Sequence, residues 1–247
     1  MAKSNLKISR SFIPGAFTTA NIFCGFLSIV YAFDGNFVTA AWLIVIAAIL
    51  DALDGTVARL THSYSKFGIE LDSLSDVVSF GAAPSVLLYA VYFREIHNVG
   101  VVISFLPLFF GAMRLARFNV QQDSFVKKEY SGLPIPSQAV VLSSFIVFNY
   151  HLWGYLRLSK FLAPAVIFLG LLMISNVEYD TLPKFTFRMN KKNNRKLILF
   201  ILSSLAVMIF PSVAMFLLST TFVFWGILRA IIRSVRNTDE IMDISDY

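Results

Sequence analysis

Four aspartates define the chemistry open to this chain. Asp51, Asp54, Asp72 and Asp76 stand close together in the sequence, with Gly55, Ala58, Arg59 and Gly68 among them, in surroundings that are almost wholly apolar. On a helix turning about 100° per residue, positions 51, 54, 55, 58 and 59 share one face. Asp72 and Asp76 are one turn apart on a following helix, and Gly68 lies one turn before them. Two helix faces bearing two carboxylates each can meet and hold divalent cations, because hard cations take oxygen ligands and carboxylates add charge. A lone aspartate here would serve as a helix cap or a solvated edge residue. Four at these spacings, beside long apolar runs, point to function, since an ionised side chain at membrane depth is costly.

The elements that must position them are membrane helices. Hydrophobic residues make up 57% of the 247 positions and charged residues only 15%, where a soluble domain has about 25% charged; mean hydropathy is +0.69. Apolar runs near the length of a bilayer crossing recur along the chain. A first span is expected over 12–33, a second over 38–60 carrying the first aspartate pair, and a third over 68–93 carrying the other. Asp34-Gly35-Asn36 turns the chain between the first two. Further spans are expected over 99–119, 136–153 and 161–177. The last apolar run, 197–232, is too long for one crossing and divides at Pro211-Ser212. The expectation is an all-α integral membrane protein of about eight transmembrane helices. Its parts are a basic N-terminal segment (1–11), a six-helix catalytic core (12–177), a basic cytoplasmic segment (178–196), a C-terminal pair (197–232) and a cytoplasmic tail (233–247), acidic and mobile from Asn237 to Tyr247.

Charge placement predicts the orientation. With the N-terminus cytoplasmic, only Arg94, Arg157 and Lys160 of the 21 Lys and Arg residues fall on the far side, as the excess of basic residues in cytoplasmic loops demands. Both termini and the aspartates are then cytoplasmic, and the expected location is the cell membrane. The net charge of +6 is explained by topology and anionic lipid, and no nucleic-acid-binding module is present. The single cysteine, Cys24, excludes an intramolecular disulfide. His62, His97 and His151 are scattered, with no zinc-like spacing and no hydrolase nucleophile context. An ion transporter also places carboxylates in helices, but near the midplane and within repeated halves; here there is no second copy of the motif.

The pattern D-x2-D-G-x2-A-R-x8-G-x3-D-x3-D, complete from Asp51 to Asp76, resembles the signature of the CDP-alcohol phosphotransferase family. The resemblance implies a six-helix core and transfer of a phosphatidyl group from a CDP-linked lipid to an alcohol, with release of CMP. It implies two divalent cations, magnesium or manganese, held by Asp51, Asp54, Asp72 and Asp76, with Asp76 also taking the proton of the attacking hydroxyl. Gly55, Ala58 and Arg59 match nucleotide and phosphate contacts, and Ser65 lies where a further polar contact is found. In the first helix, Pro14 and Thr18 keep a nucleotide-binding pattern in which Gly15 replaces an asparagine, with Asn21 as a substitute. A homodimer is a further implication.

Three more stretches resemble the serine-using branch of that family: Phe80-Gly81-Ala82-Ala83-Pro84-Ser85, Arg114-Leu115-Ala116-Arg117-Phe118-Asn119, and Gly132-Leu133-Pro134-Ile135-Pro136. They imply CDP-diacylglycerol and L-serine as substrates. Serine brings a carboxylate, and Arg114 and Arg117, with Asn119 beside them, offer the planar donors that bind one. A phosphorylated acceptor, glycerol phosphate or inositol phosphate, would call for a denser basic pocket.

Overall fold

In the computed structural model the described residues are 12–61, 66–122, 132–177, 179, 202–203 and 205–245. The N-terminal segment 1–11, Ser65, the basic segment 178–196 except Tyr179, and residues 197–201 and 204 lie outside them. All regular structure among the described residues is helical. The helices are α1 (Phe12–Phe33), α2 (Phe37–Thr61), α3 (Lys66–Asp76), α4 (Ala83–Val91), α5 (His97–Gln122), α6 (Ile135–Trp153), α7 (Leu162–Ile174) and α8 (Pro211–Ser245).

α1 and α2 form a hairpin. The end of α1 is closed by Asn36 N–H donating to the Tyr31 carbonyl (2.9 Å) and Gly35 N–H to that of Ala32 (3.3 Å), which satisfies carbonyls that a helix end otherwise orphans. Ser28 of α1 donates to the Ala40 carbonyl of α2 at 2.8 Å. Ala40, Ala41, Ile44 and Ala47 of α2 are buried, and α2 packs against both α1 and α6. Small residues let these backbones approach, and close approach supplies the packing that lipid cannot.

α3 and α4 are one helical rod joined by a π-helical stretch, Val77–Ala82, that begins directly after Asp76. Such widened turns are rare and cluster at functional sites. Gly81 in this stretch packs on Leu108 of α5, where an added Cβ would stand 3.0 Å from its side chain. Pro107 interrupts the α5 hydrogen-bond ladder; Ser85 accepts the next amide, Leu108 N–H, at 3.2 Å. The Phe80–Ser85 stretch is therefore the seam between the α3–α4 rod and α5.

Among the described residues, five stretches are long and apolar enough to cross a membrane: Gly15–Phe33, Phe37–Val57, Phe67–Val91, Phe93–Val120 and Pro211–Ser234. α7 is apolar but short, at 13 residues. α6 is not among the five. It carries Gln138, Ser143, Ser144 and Asn149, all buried, and sits among α2, α7, α8 and the π-helical stretch, so it has protein rather than lipid for neighbours. The break expected at Pro211 is present as a bend at Phe210. Beyond the apolar stretch Pro211–Ser234, α8 continues to Ser245, with no proline or glycine after Gly226 to stop it.

Candidate metal centre

α2 delivers its aspartates near its C-terminal end, and α3, returning antiparallel, delivers the others near its own C-terminus. One carboxylate oxygen from each of Asp51, Asp72 and Asp76 lies within 4.8 Å of the others. Asp54 stands beside this trio. Its charge acts on both Asp51 and Asp72, its Oδ2 accepts a hydrogen bond from the Thr18 hydroxyl of α1, and it is 6% exposed. Three of the four carboxylates thus stand in one cluster and the fourth is tied to a third helix.

The cluster fits a divalent cation by its own chemistry. All its donors are carboxylate oxygens, the preferred ligands of hard cations. Asp54 Oδ1 and Asp76 Oδ1 are buried without a hydrogen-bond partner among the described residues, although buried polar atoms are normally paired. Like charges this close need a compensating cation or proton, and among the described residues Arg114 on α5 acts on Asp76.

Of the three residues expected to read the acceptor, two face the cluster's helix. Arg114 is half-buried and within electrostatic reach of Asp76. Asn119 Nδ2 donates to Ser73 Oγ at 3.2 Å, one residue beyond Asp72, and its Oδ1 is buried with no partner among the described residues. Arg117 points elsewhere: its Nη1 donates to the Ile174 carbonyl at 3.2 Å, capping the end of α7, where a helix dipole favours a cation.

The Gly132–Pro136 stretch belongs to the same structural joint. Gly132 N–H donates to the Val177 carbonyl (2.9 Å) and Leu133 N–H to that of Leu172 (3.0 Å). Gly132 has φ +94° and lies so close to Met173 that a Cβ would stand 2.2 Å from its carbonyl oxygen, so only glycine fits. Pro134 and Pro136 then start α6. The motif closes the bundle at the end where the aspartates lie.

Gly55 is exposed, and a Cβ there would meet nothing within 4 Å among the described residues. It is not a packing glycine in that setting; it leaves open space one residue from Asp54. Ala58 and Arg59 are within α2, but their side chains lie outside the described residues, as does Ser65. Asn21 is fully buried, and both atoms of its amide lack partners among the described residues.

Sequence reasoning missed the contribution of Ser73, Ser75 and Ser79. Ser75 donates to the Thr18 carbonyl at 3.3 Å and Ser79 to the Asn21 carbonyl at 3.0 Å. The i, i+4 spacing of Ser75 and Ser79 on the face of the rod turned to α1 is the available signal for those two.

Residues 11–175 match the family described as CDP-alcohol phosphatidyltransferase. The chain is 40% identical over 227 residues to a CDP-diacylglycerol–serine O-phosphatidyltransferase of Helicobacter pylori, covering 90% of this chain and 92% of that one. It is 41% identical over 181 residues to an archaetidylserine synthase of Methanothermobacter thermautotrophicus, covering 71% and 73%. A CDP-diacylglycerol–serine O-phosphatidyltransferase of Methanocaldococcus jannaschii is 40% identical over 171 residues, covering 69% and 74%.

Proposed function

The chain belongs to the CDP-alcohol phosphatidyltransferase family, and from that premise we propose that it transfers the phosphatidyl group of CDP-diacylglycerol to the hydroxyl of L-serine, giving phosphatidylserine and CMP. The observation that carries the reading is the convergence of Asp51, Asp72 and Asp76 from two helices onto one point, in a chain 40% identical to serine-using relatives across most of its length.

Asp51, Asp54, Asp72 and Asp76 hold two divalent cations, magnesium or manganese. When bound, these neutralise pyrophosphate oxygens and hold the phosphorus for in-line attack. Gly55 leaves the α2 backbone open to the nucleotide, and Arg59 supplies phosphate donors. Thr18 and Asn21 line the nucleotide side from α1. Arg114 takes the serine carboxylate, which sets the serine hydroxyl next to Asp76. Asp76 accepts the hydroxyl proton as the new O–P bond forms and the bond to CMP breaks. Arg114 beside Asp76 supports this pairing, whereas the contact of Arg117 with α7 supports a structural role for it.

The proposed topology is eight spans with both termini and the site cytoplasmic, so that CDP and serine arrive from water while acyl chains stay in the bilayer. The 19 residues of α6 rise about 28 Å, enough to cross. The core is 12–177, the pair 197–232 follows it, and the protein works as a homodimer in the cell membrane. Cysteine accessibility at residue 3 against residue 157, over the background of Cys24 alone, tests the orientation. A monomeric mass in mild detergent overturns the dimer.

The activity test supplies purified protein with CDP-diacylglycerol and a divalent cation, and offers radiolabelled serine, glycerol phosphate and inositol phosphate in competition. Serine-dependent CMP release and labelled phosphatidylserine are expected. Preferential labelling from either phosphorylated acceptor, or CMP release undiminished by chelator, overturns the reading.

A further inference from the structure

α1 donates no carboxylate, yet it is bonded to both helices that do. The Thr18 side chain donates to Asp54 of α2, while its main-chain carbonyl accepts from Ser75 of the α3 rod. Ser75 sits between Asp72 and Asp76 in sequence and is fully buried; Thr18 is 3% exposed. One turn on, Ser79 repeats the contact onto the Asn21 carbonyl. Gly25 lets the rod come close, since a Cβ there would stand 2.7 Å from the Ser79 Cα. Neither serine is needed for helix formation, because the carbonyls they meet belong to another helix. Their effect is to fix the distance and register of α1 against the rod.

We infer that Thr18 and Ser75 are positioning residues for the metal centre: through them α1 sets the placement of Asp54 relative to Asp72 and Asp76. The inference rests on the reading that these carboxylates hold divalent cations. A carboxylate that ligates through one oxygen is oriented by a hydrogen bond to the other. Thr18 occupies Asp54 Oδ2, and Oδ1 is left buried without a partner among the described residues. Ser75 then keeps Thr18 itself in place relative to α3. α1 is also held to α2 by Ser28 and Ala40, so hydrogen bonds tie all three helices together around the cluster.

The test measures Mn2+ binding to the purified full chain in detergent, without substrate, by calorimetry and by the electron paramagnetic resonance of free Mn2+. Thr18→Val keeps the size and removes the donor; it is expected to weaken binding about tenfold or more, the usual effect of losing the partner that orients a ligand. Thr18→Ser keeps the donor and is expected to stay within about threefold of wild type by the same reasoning. Ser75→Ala is expected to weaken binding several-fold while the folded fraction, read by thermal unfolding in chelator, is retained. Wild-type Mn2+ affinity in folded Thr18→Val, or equal losses in Thr18→Val and Thr18→Ser, overturns the inference. If Thr18→Val does not fold, unchanged affinity in Ser75→Ala overturns it alone. Failure of the wild type to bind Mn2+ removes the metal reading of the site. Failure to convert serine removes the substrate reading and leaves this inference standing.

Discussion

Removing a negative charge from the cluster is expected to have opposite effects on stability and on function. Asp51→Asn keeps the side chain's size and removes one of three charges whose oxygens lie within 4.8 Å of one another. At that separation, and an effective dielectric of about 20, each ionised pair repels by about 3.5 kcal/mol. Three pairs amount to about 10 kcal/mol without a cation, and removing one carboxylate deletes two of them, about 7 kcal/mol. The protein escapes part of this by binding a proton, and protonating a carboxylate of ordinary acidity at pH 7 costs about 4 kcal/mol. That cost caps the strain actually borne, so relief by Asp51→Asn is at most about 4 kcal/mol. For a chain of this size each kcal/mol moves the unfolding midpoint about 2–4 °C. In chelator, Asp51→Asn is therefore expected to unfold about 5 °C or more above wild type. In excess Mn2+ the order closes or reverses, because wild type gains about 2.7 kcal/mol at one hundred times its dissociation constant and the variant gains little. The assay is thermal unfolding in detergent with and without metal, beside CMP release. A lower midpoint for the variant in chelator, or a wild-type metal shift in the variant, refutes the reasoning.

Three other outcomes are expected. Asp76→Asn loses on the order of 10²–10⁴ in turnover, the usual worth of a positioned base, while CDP-diacylglycerol binding persists; abolished nucleotide-lipid binding in a folded variant would show that Asp76 acts mainly as a ligand. Arg114→Leu raises the serine requirement sharply and leaves turnover with serinol, which lacks the carboxylate, little changed, whereas Arg117→Leu leaves the serine requirement alone and lowers the unfolding midpoint; a reversed pattern in acceptor kinetics would exchange the roles of the two arginines. Gly55→Leu folds normally, because its side chain enters open space, but blocks the nucleotide; a CDP-diacylglycerol KM equal to wild type would place the nucleotide elsewhere.

The aspartates were legible because their types, spacing and apolar setting leave few uses for them. The helices around them were legible to within a few residues, as with the expected 136–153 and the observed Ile135–Trp153, because apolar runs and turn residues set their limits. The π-helical stretch was not: one extra residue per turn leaves no mark in composition, and Val77–Ala82 continues the hydropathy of its neighbours. The Thr18–Asp54 contact was also hidden, since a hydroxyl in an apolar helix reads the same whether it bonds its own backbone, as Thr19 does to Gly15, or another helix. Arg114 and Arg117 are indistinguishable as residue types; only the position of α7 separates the one beside Asp76 from the one that caps Ile174.

The burial of α6 bears on how the chain is made. A helix holding Gln138, Ser143, Ser144 and Asn149, all buried, is a poor candidate for release into lipid by itself, because polar groups in hydrocarbon cost free energy. Part of the burial of α6 comes from α8, which is synthesised after it. Ser144 meets Ser219 at 3.2 Å, and Phe145 and Phe148 lie against Phe216, with ring centroids 5.6 and 4.9 Å apart. Until α8 leaves the ribosome, this flank of α6 faces the insertion machinery or acyl chains. A nascent chain arrested before Pro211 therefore retains α6 at the translocon, or sheds it to proteolysis, although every aspartate of the metal centre has already been made.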